Sequence, residues 1–150
     1  MDDNPALDDA RRLFYRAHAY LLKNQLSEAI PFFSEALDLY PELFCARIGL
    51  AVCLARLRRF EQAIQVCLDG ISLDEENRVH QYLLYLTLGD IFMLQGDYEK
   101  AEGAFLHALK YSTQPETALS RIGVVRCKRG DFSGGWDMFL RAARINIESE

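Results

Sequence analysis

Proline and glycine are scarce: four and nine in 150 residues. That excludes collagen-like and low-complexity disordered chains. Positive charge is in deficit, with 17 Lys and Arg against 22 Asp and Glu and a net charge of -5. Phosphate binding wants a basic face, so no nucleic-acid partner is expected. No apolar run approaches the ~18 residues of a membrane span, and no membrane partner is expected either. The opening MDDNPALDD lacks the basic start and apolar core of a signal peptide, which points to a cytosolic chain. Cys45, Cys53, Cys67 and Cys127 form no CxxC pair and are expected as buried or half-buried thiols.

Catalytic signatures are missing as well. There is no GxSxG, Walker loop, HExxH or GxGxxG. Asp8 and Asp9 suit a helix N-terminus better than paired catalysis. RGDFSGG, with glycines near a helix start, reads as a turn between helices. Convergent titratable groups with a base and an orienter are not visible. The expectation is a protein that is not an enzyme and needs no cofactor or metal.

Spacing is what the chain does have. Ala29, Ala63, Ala101 and Gly135 recur at intervals of 34, 38 and 34 residues. Seven residues after each stands a second small residue: Ala36, Gly70, Ala108 and Ala142. Phe33, Cys67, Phe105 and Phe139 lie between them, and Ala17, Ala51, Gly89 and Gly123 lie twelve before the first. Small residues let two helices approach, and large ones a turn away fill the flanks. Turns such as Gln95 to Asp97 and Arg129 to Asp131 join each pair. Such pairs are apolar on both sides and must stack.

This pattern resembles the tetratricopeptide repeat (TPR) family, with copies at 10–43, 44–77, 82–115 and 116–149. The resemblance implies an all-α fold: a right-handed TPR solenoid of about four antiparallel helix pairs, forming one domain over 1–150. Arg16, Arg47 and Arg126 occupy positions where the family has large apolar residues, and stems laid on apolar surface are expected there. Four extra residues near 78–81 make about one helical turn. They should lengthen the helix ending near Gln95, with Asp74 as N-cap. Asn4 and Pro5 suit the cap and first position of the opening helix.

The resemblance also implies that the first helix of each pair lines a concave, peptide-binding groove. The matching positions are Arg11, Phe14, Tyr15, His18 and Leu22 in repeat one. Repeat two supplies Ile48, Val52 and Arg56. Repeat three supplies Leu83, Leu86, Asp90 and Met93, and repeat four Arg121, Val124 and Lys128. This lining is largely apolar with an excess of positive charge. It suits an amphipathic or apolar segment with acidic flanks, anchored best at Phe14, Tyr15, Leu86 and Met93. The other reading of these positions is inter-repeat core. The donors of the carboxylate-clamp subclass are absent, since Phe14, His18, Gly49, Leu83 and Thr87 stand at its positions. GLAVCLARLRRFEQAI is loosely similar to the second repeat of the TPR chaperones of bacterial type III secretion.

His18, His80 and His107 lie far apart in the repeat frame, and His18 with Cys45 falls short of four zinc ligands. The closing helix, from about Ser133 to Ile147, carries Trp136, Leu140, Ala143 and Ile145 where a following repeat would pack. They imply an edge for self-association, most simply a homodimer. The function expected is protein binding as an adaptor or chaperone. A structural assembly subunit joined through that edge is the alternative.

Overall fold

In a computed structural model, residues 3–148 are described. Among them are eight α-helices and no strand: α1 Pro5–Leu22, α2 Leu26–Leu39, α3 Phe44–Arg56, α4 Phe60–Leu73, α5 Arg78–Gln95, α6 Tyr98–Tyr111, α7 Glu116–Lys128 and α8 Phe132–Glu148. The chain divides between Asp74 and Glu75 into two compact units, α1–α4 and α5–α8.

Local chemistry starts the helices. The Asn4 side chain accepts from Leu7 N at 3.3 Å, and Pro5 fills the first position, where an N–H would be unused anyway. Asp97 caps α6 through Lys100 N at 3.2 Å, and Asp131 accepts from Gly134 N at 2.9 Å at the start of α8. At α5 the expected cap is corrected. Asp74 is the C-cap of α4, and Asn77 instead accepts from His80 N at 3.1 Å. An N-cap oxygen reaches only the N–H two or three residues on, which a helix beginning at Arg78 places beyond Asp74. The extra turn is helical, giving α5 18 residues against 13 in α3 and in α7. It extends the buried stripe by Gln81, which stands one turn before Leu84.

Every pair turns on a left-handed residue: Asn24 (φ 58°), Arg58 (φ 62°), Gly96 (φ 84°) and Gly130 (φ 88°). Glycine takes this conformation freely, whereas at Arg58 it is sterically unfavourable. The Arg58 guanidinium lies over the Phe60 ring, 5.1 Å from its centroid, and partly offsets that cost.

In the first unit the buried core holds Ala17, Ala29, Phe33, Ala36, Ala51, Ala63 and Cys67. Phe33 of α2 lies against Gly49 of α3, where an added Cβ would stand 2.5 Å from the ring. In the second unit Phe105 of α6 fills the notch at Gly89 of α5, and Phe139 of α8 lies against Gly123 of α7. Each buried phenylalanine contributes up to about 3 kcal/mol over an exposed one. The small residues thus form the notches and the phenylalanines fill them.

The three arginines at apolar positions each find a partner. Arg16 lies over Phe32 at 5.1 Å, and Arg47 donates to Pro41 O at 3.0 Å and Val66 O at 3.4 Å. Arg126 Nε donates to Glu102 Oε1 at 2.8 Å, and Arg129 donates to Oε2 of the same carboxylate at 2.6 Å. Glu102, on α6, is largely buried and joins α6 to α7 by charge.

Candidate peptide-binding face

The first helices of the second unit build the better-defined site. Asp90 and Met93 follow one another along α5 by about one turn, and Arg121 and Val124 do the same on α7. These four residues, with Leu94 and Phe105, line one cavity of about 480 Å³ whose wall is mostly apolar. Arg121 Nε meets Asp90 Oδ1 at 3.0 Å across it. Burial pushes the Asp90 carboxyl pKa up, and Arg121 works in the opposite direction. Arg121 and Val124 also border a larger, more polar cleft of about 690 Å³ that runs to Tyr82, Gln114 and Asn146. The arrangement offers an apolar socket with a guanidinium on its rim.

The other expected groove residues are less uniform. Leu83 is half-buried and Lys128 exposed. Leu86 is a correction: at 6% exposed it packs in a core with Phe105, Leu119 and Ile122 and cannot anchor a ligand. Repeat position places it on the α5 face, but α7 closes over that point. Leu94, which shares the groove face by repeat position, lines the cavity beside Met93 and is exposed.

In the first unit Arg11 pairs with Asp8 at 3.8 Å on the open surface, an interaction of little energetic weight. Phe14 is half-buried, its ring 6.0 Å from that of Phe33, 5.4 Å from Tyr15 and 5.7 Å from His18. Tyr15 is 67% exposed, Leu22 is also exposed, and Ile48 and Val52 are half-buried with Arg56 exposed beyond them. Phe14 therefore borders core, and Tyr15 and Leu22 are the open apolar members.

At the closing helix Trp136 is 64% exposed, and Leu140 and Ala143 are exposed with it. Ile145 is a second correction: it turns inward, packed against the core cluster of the second unit. Helical spacing favours Ile147 in its place, four residues after Ala143, and Ile147 is 74% exposed.

Among the described residues no group of three or more His, Cys, Asp or Glu converges as a metal site, and no helix is long and apolar enough to cross a membrane. Cys53 and Cys67 are buried, Cys45 and Cys127 half-buried. Burial pushes the Cys67 thiol pKa up to about 12.

Helix pairs turning on left-handed residues and joined through small-residue notches define a helical-repeat protein. Residues 20–84 match one family model and residues 82–115 another, both described as tetratricopeptide repeat. The chain carries tetratricopeptide repeats, and its fold class is the all-α TPR solenoid. It is similar to BBSome complex member BBS4 of Bos taurus, 25% identical over 121 residues, covering 81% of this chain and 22% of the relative. It is also similar to the TPR repeat-containing thioredoxin TTL4 of Arabidopsis thaliana, 33% identical over 93 residues, covering 60% of this chain and 13% of that one. The chain thus spans about a fifth or less of the length of these curated relatives. Among solved structures, MamA from residue 41 onward of Desulfovibrio magneticus RS-1 superimposes with a TM-score of 0.74 at 17% identity, covering 95% of this chain and 78% of that chain. Tetratricopeptide repeats are protein–protein interaction modules, which is the class of function they give this chain.

Proposed function

We propose that the chain is an adaptor or chaperone that holds an amphipathic or apolar peptide segment on the face formed by α5 and α7. An apolar side chain of the partner enters the socket of Met93, Leu94 and Val124. An acidic group beside it meets Arg121, whose Nε faces Asp90 Oδ1 at 3.0 Å, with exposed Lys128 on the same helix adding positive charge. Four residues expected from repeat position converge on that one cavity, and this observation carries the reading. Few deep anchors with a polar rim are the usual economy of peptide grooves. The proposed setting is the cytosol, with binding and not catalysis as the activity.

The test uses a random-sequence peptide phage library against the whole protein, followed by titration of the enriched peptides. The reading expects peptides that share an apolar anchor beside acidic residues. It expects Val124→Glu, with unchanged thermal melting, and Arg121→Gln each to weaken them at least about tenfold. Enrichment of nothing, or equal binding by both variants, would refute the socket.

A further inference from the structure

We propose that α8 pairs with α8 of a second copy of this chain, antiparallel about a twofold axis. Phe132, Trp136, Leu140, Ala143 and Ile147 follow one another at four, four, three and four residues, which draws one stripe along the helix. Phe132 is 70% exposed, and the stripe stays open to its far end at Ile147. The buried side of the helix, through Gly135, Met138 and Ala142, lies elsewhere on its circumference. The stripe is therefore surplus to the core of the second unit.

Size complementarity and charge both select a second copy as the occupant. In an antiparallel pair Leu140 lies opposite the partner's Ala143, and Trp136 opposite the partner's Ile147, so that large meets smaller at these layers, with Phe132 at the rim. Asp137 and Arg144 lie two turns apart on one flank of the stripe, and both are exposed. Among the described residues neither forms an ion pair within its own chain. Antiparallel pairing brings each Asp137 within reach of the partner's Arg144, and the twofold axis makes that contact twice. A parallel pairing gives neither charge an opposite partner. The flank is thus complementary to itself in one orientation only, as an isologous interface requires. One helix face per copy falls short of the roughly 800 Å² per partner of a standard interface, so association should be weak and concentration-dependent.

Sedimentation velocity of the whole chain from micromolar to submillimolar concentration tests this, with Trp136 emission as a second readout. The expected result is a reversible monomer–dimer equilibrium with a blue shift of Trp136 as dimer forms. Leu140→Glu, at an exposed position, abolishes both while leaving the melting temperature unchanged. Asp137→Arg and Arg144→Asp alone each weaken the dimer by about tenfold, and the two together restore it. Monomer mass at every concentration overturns the inference, whatever else then covers the stripe. A dimer indifferent to Leu140→Glu, or to the single charge reversals, overturns it too.

Discussion

Adding one methyl group at Gly89 tests the joint between α5 and α6. A Cβ there would stand 2.5 Å from Phe105 Cδ1 and 2.8 Å from its Cζ, inside any real van der Waals contact. Phe105 is 1% exposed and shares its core with Leu119 and Ile122, so a displaced ring must disturb that packing. Overpacking of this kind costs about 1–3 kcal/mol, and a Cβ inside contact distance of three atoms of the ring puts Gly89→Ala at the upper end. The better helix propensity of alanine returns about 1 kcal/mol. The net is about 2 kcal/mol of destabilisation, or a melting temperature lowered by about 4–8 °C for a chain of this size. Gly103 supplies the internal control. It lies within α6, and a Cβ there would meet nothing within 4 Å, so Gly103→Ala should stabilise by about 0.5–1 kcal/mol. Urea unfolding followed by circular dichroism measures both. Phe105→Leu in the Gly89→Ala background should recover part of the loss by thinning the group that clashes. If Gly89→Ala proves as stabilising as Gly103→Ala, the notch-and-ring account of the joint fails.

Two further predictions concern titrating groups. Burial holds the proton on Asp90 to higher pH than in the unfolded chain, Arg121 only partly opposing it, so the stability that this group lends under acid is lost as pH rises through its raised folded value. The urea midpoint of Asp90→Asn relative to wild type should therefore climb from about pH 4 across the weakly acidic range; a flat or falling difference contradicts the burial argument. Cys67, its thiol pKa pushed up to about 12 by burial, should ignore a thiol-specific disulfide reagent at about pH 8 in the native protein while half-buried Cys45 and Cys127 react. Single-cysteine variants followed by absorbance make the comparison, and rapid native labelling of Cys67 would contradict its burial.

The helices and their joints were legible because period and residue size act locally. Small residues at Ala17, Gly89 and Gly123 and rings at Phe33, Phe105 and Phe139 say where backbones approach. Asn4 with Pro5 starts α1, and Gly96 ends α5, for reasons contained in a few neighbouring residues. The site was legible in part for the same reason: Asp90, Met93, Arg121 and Val124 follow from helix phase. Phase does not say what crosses over a given point, and Leu86 is buried because α7 passes there. Ile145 and Ile147 differ by two residues, or about 200° around the helix, and only the inward one is covered. The partnership of Glu102 with Arg126 and Arg129 links residues 24 and 27 apart across two helices, a distance no local pattern spans. Asn77 in place of Asp74 turned on one helical turn of chain that reads equally well as either helix or link.

That added turn carries a rule about how such a chain can change length. Four residues advance a helix by about 400°, so every face returns close to its old bearing and Gln81 falls in line with Leu84. Two residues would advance it by about 200°, turning Gln81 out of line with Leu84 and toward the far side of the helix. Lineages of this architecture are therefore free to lengthen their helices by whole turns, while shorter insertions are confined to the links between them.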